Sequence, residues 1–222
     1  MLFRSTAFPK PFKNNYLGEF IGNPVRTEIA GMADPATRYA ARGAAPLKVL
    51  AIGGSQGAAA LNETVPKALA LLPPQARPQV THQAGAAHID ALRANYEKAG
   101  VQAELVAYID NMAQRYAEVD LVIARAGAST VTEIAAAGVA ALFVPFPHAV
   151  DDHQTTNARY LVDRGAAFLL PQPEFTPEKL AGLLREFTRG GLTGMAVAAR
   201  AAAKPDATRD VAHICMELAH AA

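Results

Sequence analysis

Two glycine-rich turns carry the residue types best suited to chemistry. Gly53-Gly54-Ser55-Gln56-Gly57-Ala58 follows the apolar run Leu47 to Ile52, and Arg125-Ala126-Gly127-Ala128-Ser129-Thr130 follows the apolar run Leu121 to Ala124. Glycine lets a backbone turn sharply and approach a ligand, and a helix starting just beyond presents unpaired N–H groups and the positive end of its dipole to anionic oxygens. Two such turns point to nucleotide phosphates. The first by itself is ambiguous, because it departs from the G-x-G-x-x-G dinucleotide fingerprint, and a Gly-Gly pair after a strand also serves strand-to-helix packing.

The densest polar cluster is His148, Asp151, Asp152 and His153. Imidazole beside carboxylate is a ligand set for zinc and other divalent ions. These residues lie on a Pro-flanked loop without a repeated helical ligand spacing, so no metal site is expected, and Asp151 or Asp152 is read as the N-cap of the next helix. Ser55 and Ser129 lack a Gly-x-Ser-x-Gly elbow, and the histidines form no triad order with them. Hydrolase chemistry is not expected. Cys215, the single cysteine, excludes an internal disulfide and a cysteine-based zinc site, and reads as a small apolar helix residue.

These turns need elements to position them. Val49–Ile52, Gln79–Thr81, Glu104–Ile109, Leu121–Ala124, Ala141–Val144 and Ala167–Leu170 read as short buried strands, separated by helical patterns such as Ala59–Leu72, His88–Lys98, Ser129–Ala137 and Gln154–Arg164. Strand and helix alternating at this spacing predict right-handed crossovers and a doubly wound, Rossmann-like α/β domain with a parallel sheet. Loops entering the strands are bland: Pro73-Pro74-Gln75, Lys98-Ala99-Gly100, Ala117-Glu118-Val119, Ala137-Gly138 and Arg164-Gly165. Those leaving the strands carry the two glycine turns, His82-Gln83-Ala84-Gly85, Tyr108-Ile109-Asp110-Asn111 and the stretch Pro147 to Gln154. Ligands bind outside the carboxyl ends of strands in open α/β sheets, so the unusual residues share the expected binding edge.

The rest of the chain bounds the function. With 21 basic and 20 acidic side chains and a net charge of +1, it has no electrostatic footprint for nucleic acid. Met1 to Phe12 lacks the apolar core of a secretory signal, and no apolar run approaches the ~20 residues needed to span a bilayer. Residues 1–46, rich in Pro, Gly and Asn, read as the end of a preceding unit followed by a linker, and 47–205 as the α/β domain. Pro205-Asp206-Ala207-Thr208 then breaks the helical pattern before a last helix within 206–222, which Asp206 or Thr208 can cap.

Four ordered motifs closely resemble one family. Gly22-Asn23-Pro24-Val25-Arg26, Gly53 to Ala58, Arg125 to Glu133, and Asp152-His153-Gln154 followed by Asn157 resemble MurG, the peptidoglycan N-acetylglucosaminyltransferases that convert lipid I into lipid II. The likeness covers the carboxyl-terminal half of that family. It implies one half of a GT-B enzyme, binding UDP-N-acetylglucosamine without a cofactor or a protein-held metal, with lipid I as acceptor and an inverting transfer. The family's amino-terminal histidine turn has no counterpart, so no catalytic residue is carried over. Location at the cytoplasmic membrane face is implied by the resemblance alone. A stand-alone UDP-sugar-binding subunit needing a separate acceptor-binding partner, or an inactive truncated product, are the alternative readings.

By that resemblance Arg26 lies near the donor diphosphate and Ser55 contacts it from the first turn. Ile109 packs near uracil, Ala128, Ser129 and Thr130 present backbone or hydroxyl groups to the phosphates, Glu133 holds the ribose hydroxyls and Gln154 those of the sugar. His153, at a position that varies in the family, ranks below them. Each has a bland alternative. Glu133 follows Thr130 at capping-box spacing, Ser55 and Ser129 suit N-caps, Arg26 and Gln154 suit a solvated surface, and Ile109 suits the core. In GT-B enzymes the last helix crosses back to the amino-terminal domain, which implies an exposed apolar stripe of Val211, Ile214 and Leu218.

Overall fold

The computed structural model describes residues 22–54, 58–147 and 152–220. Its six strands are β1 (Lys48–Ile52), β2 (Gln79–Gln83), β3 (Glu104–Val106), β4 (Leu121–Ala124), β5 (Ala140–Phe143) and β6 (Ala167–Leu169), in one sheet ordered β3-β2-β1-β4-β5-β6. All pairings are parallel. The central strands read as unbroken apolar runs because both faces are covered. Val49 and Ala51 of β1 enter one core and Leu50 and Ile52 the other.

Helices α1 (Thr27–Ala30) and α2 (Pro35–Ala40) precede the sheet, and α3 (Ala59–Ala70), α4 (Ile89–Ala99), α5 (Met112–Glu118), α6 (Ala128–Ala137) and α7 (His153–Val162) alternate with its strands. The first core combines β1 with α3 through Leu61, Val65 and Leu69, whose spacing is helical, and with α4 through Leu92 and Tyr96. On the opposite face Tyr116 of α5, Val131 and Ile134 of α6, and Leu161 of α7 are buried. Three helices close the chain: α8 (Pro177–Glu186), α9 (Arg189–Ala201) and α10 (Ala207–His220). Thr176 and Thr188 cap α8 and α9 by accepting from the Lys179 and Gly191 N–H groups.

Some sequence expectations need correction. Strand β3 stops at Val106 rather than Ile109, because its pairing with β2 ends at Gln83 opposite Val106 and Ile109 turns into the core. Ala117 and Glu118, expected in a turn, end α5, a short helix whose single fully buried side chain, Tyr116, leaves no apolar periodicity to read. Asp152 stands at the N-cap position of α7 but has φ 48° and makes no capping side-chain bond, so its carboxylate does not start the helix. Asp151 lies outside the described residues. Residues 27–40 form two short helices docked on the domain, with Ile29 and Tyr39 buried.

Tyr39 and Asp120 fasten that segment below the sheet. The Tyr39 hydroxyl donates to the Asp120 carbonyl at 2.7 Å and accepts from the Ala140 N–H at 3.2 Å. The buried Asp120 carboxylate accepts from Arg42 at 2.8 Å, from Arg189 at 3.1 Å and from the Lys48 N–H at 2.8 Å. Burial raises its pKa, and these donors outweigh that effect and hold it below the usual carboxylate value.

Candidate functional site

Strands β1 and β4 are neighbours, with Ile52 opposite Ala124, so the two glycine turns leave the sheet side by side. One leads to α3 on one face and the other to α6 on the opposite face. This divergence is the topological switch point, where open α/β sheets form their ligand crevice. Gly54 has φ +81°, a conformation open to glycine. Ser55 lies outside the described residues.

Helix α6 is the best-defined element leaving this switch point. Its N-cap is Gly127, and among the described residues no side chain caps its first turn. The amides of Ala128, Ser129 and Thr130 therefore sit at an open helix start, with Ser129 exposed. The opposite end is closed by cations: Arg38 donates to the Ala137 and Gly138 carbonyls, and Arg200 donates to the Ala137 carbonyl at 3.2 Å. Guanidinium groups at the carboxyl end complement the helix dipole and leave its positive end uncapped at the loop after β4.

The Gly22 to Arg26 motif lies along the same helix. Asn23 donates to Thr132 Oγ1 at 3.1 Å, and Arg26 Nη2 donates to Glu133 Oε1 at 2.9 Å. Glu133 therefore does not cap α6, as its spacing from Thr130 allowed. Its second oxygen, Oε2, accepts from the hydroxyl of Tyr116 at 3.3 Å. Glu133 is one-fifth exposed and Arg26 about half, with side-chain values of 20% and 52%. Ile109 is buried in the same cluster as Tyr116, while its neighbour Tyr108 stands exposed. Thus Arg26 pairs with Glu133 on α6, and Ile109 is buried in the core that α6 covers.

Gln154 stands in the first turn of α7, where its Oε1 accepts from the Phe146 N–H at 2.9 Å in the loop after β5. His148 lies outside the described residues, and among those described no three His, Cys, Asp or Glu side chains group to hold a metal.

Other polar side chains brace these loops. Buried Gln83 donates from Nε2 to the carbonyls of Gly54 and Ala107, both at 3.2 Å, joining the loops after β1 and β3. Arg125 donates to the Val144 and Pro145 carbonyls and to Gln172 Oε1, and Asn157 donates to the Ala126 carbonyl at 3.0 Å. Sequence reasoning assigned no such role to Gln83, Arg125 or Tyr116. The signal for Arg125 was a large polar residue directly after a buried apolar strand, which must find partners, whereas Gln83 closes a mostly polar strand and carried no such signal. Tyr116 gave none.

Fold and edge together define a Rossmann-like domain, and its relatives place it in the GT-B glycosyltransferase class. Residues 48–213 match the model of the glycosyltransferase family 28 C-terminal domain, and the chain belongs to that family. It is 59% identical over 212 residues to the UDP-N-acetylglucosamine--N-acetylmuramyl-(pentapeptide) pyrophosphoryl-undecaprenol N-acetylglucosamine transferase of Nitrosospira multiformis, covering 96% of this chain and 59% of the relative. The enzyme of the same name from Cupriavidus metallidurans is 61% identical over 213 residues, with the same shares covered. The crystal structure of Acinetobacter baumannii MurG superposes with a TM-score of 0.78 at 42% identity, covering 93% of this chain and 58% of that one. The chain therefore spans under two thirds of the length of these relatives. Anabaena HepE, solved with UDP and glucose, shares the fold at a TM-score of 0.59 and 16% identity.

Proposed function

We propose that this chain is the donor-binding half of an N-acetylglucosaminyltransferase that uses UDP-N-acetylglucosamine to convert lipid I into lipid II. The observation that carries this reading is the pairing of Arg26 with Glu133 on α6, the helix whose uncapped start stands at the switch point of the sheet. The relatives' names supply the donor and acceptor. In this reading Glu133 accepts from the ribose hydroxyls, Ile109 faces uracil, and Ser55, Ala128, Ser129, Thr130 and Arg26 meet the diphosphate. Gln154 keeps its amide nitrogen for a sugar hydroxyl while its oxygen holds the Phe146 N–H.

The muramyl 4-hydroxyl oxygen bonds to the anomeric carbon as the bond from that carbon to the diphosphate breaks, and UDP leaves with the electron pair. The contribution of this half is electrostatic, since helix-terminal amides and Arg26 meet the charge that grows on the leaving group. An amino-terminal half, in the same polypeptide or a partner, positions the acceptor and takes its proton. Membrane attachment at the cytoplasmic face belongs to that complete enzyme. Among the described residues no helix is long and apolar enough to cross a membrane.

Calorimetric titration of the chain with UDP-N-acetylglucosamine tests the reading, with ADP-glucose as control. Specific binding is expected, weakened by Glu133→Ala at least tenfold, in line with the ~1.5–3 kcal/mol of hydrogen bonds to a charged group. Equal binding of both nucleotide sugars, or an unaffected Glu133→Ala variant, contradicts it.

A further inference from the structure

We propose that Tyr116 is the positioning residue of the nucleotide site, a buried phenol that holds the carboxylate of Glu133 in the orientation that reads the ribose 2′-hydroxyl. This inference rests on the donor-site reading above. The two donors on Glu133 differ in kind. Arg26, on Oε1, belongs to a half-exposed side chain that can swing toward a phosphate. Tyr116, on Oε2, is fully buried at 0% exposure, and its ring shares a cluster with Leu50, Ile109 and Val122. The phenol has no route to water, so its hydrogen bond is directed at Glu133 whether or not a ligand is present.

A glutamate on a helix surface samples several rotamers, whereas discrimination between a hydroxyl and a hydrogen requires a carboxylate already in place. One bond to Tyr116 orients the group and leaves further lone pairs on both oxygens for a diol. Burial and the adjacent Glu133 charge push the phenol pKa well up, so Tyr116 stays protonated and remains a donor. Arg38 fixes the spacing of the pair, because it donates to the Tyr116 carbonyl at 3.2 Å on α5 and to the Gly138 carbonyl at 2.7 Å at the end of α6.

The test is titration of the full 222-residue chain with UDP and with 2′-deoxy-UDP. The wild type is expected to prefer UDP. Tyr116→Phe keeps the ring in its cluster and should weaken UDP binding roughly three- to tenfold while changing 2′-deoxy-UDP binding far less, so that the preference narrows. A role confined to packing would weaken both nucleotides in proportion. Adding Tyr116→Phe to Glu133→Ala should change nothing further, because the bond it removes is already gone. Glu133→Asp, which withdraws the carboxylate from the phenol at a partly exposed position, gives a second variant and should also lose the preference. A wild-type preference that survives Tyr116→Phe overturns the role of Tyr116 alone, and one that survives Glu133→Asp overturns the assignment of the ribose to Glu133 and this inference with it. A wild type that binds neither nucleotide overturns the donor-site reading and this inference with it, and one that binds both equally overturns this inference while leaving the donor site standing.

Discussion

His82 shows how a residue of catalytic type can serve the core. Its ring is fully buried, with Nε2 donating to Asn62 Oδ1 and Nδ1 accepting from the Tyr96 hydroxyl, each at 3.1 Å. Burial lowers its pKa from 6.5 to about 3. The unfolded chain therefore binds a proton below pH 6.5 that the folded chain refuses until about pH 3, so stability falls as the pH drops through that window. At pH 5 this costs about 2 kcal/mol, visible as a lower urea midpoint than at pH 7, and His82→Leu should remove that pH dependence although it lowers stability overall. An unchanged wild-type midpoint between the two pH values would refute the assignment. Glu133 posed the opposite problem. Its spacing from Thr130 allowed a capping box, and the partners that replace one, Arg26 and Tyr116, lie 107 and 17 residues away in sequence. Short-range spacing cannot reveal them.

Helix α6 carries most of the candidate site, and its carboxyl end is under a close-packing constraint. Gly138 closes it with φ +60°, and a Cβ there would lie 2.6 Å from Pro35 Cγ and 3.0 Å from Arg200 Cβ. Glycine is required both by conformation and by the close approach of α2 and α9. Gly138→Ala should cost about 1–3 kcal/mol, and a domain of this size should then melt roughly 2–12 °C lower. A melting temperature within a degree of the wild type would show that the packed segments yield freely. The turn Ala137-Gly138 was legible as a helix end from its glycine, whereas the Arg38 and Arg200 that cover it were not, because long charged side chains carry no positional signal until the helices are docked.

At the scale of the whole molecule, the last helix bears apolar side chains that the domain covers only in part. On α10 Met216 is 56% exposed and Val211 and Ile214 are half-buried, while the Leu218 side chain lies outside the described residues. We infer that this face meets the amino-terminal half of the complete enzyme, in keeping with a chain that spans 59% of its relatives. Ile214→Asp should then reduce binding of a hydrophobic dye, and because Ile214 is half-buried it should also cost about 1–2 kcal/mol and lower the melting temperature by roughly 2–8 °C. Unchanged dye binding would count against an apolar docking face. The alternation of buried runs and helical patterns, with glycine turns after two of the strands, determined a doubly wound α/β domain with its unusual residues on one edge of the sheet, because strand burial and turn conformation are local properties of a chain. Tertiary structure decided that the turns 72 residues apart along the paired strands stand side by side, from Ile52 opposite Ala124, and that Arg26, Tyr116 and Glu133 share one carboxylate. Strand order and long-range hydrogen bonds arise when the two faces of the sheet are packed, and no short stretch of sequence contains both partners.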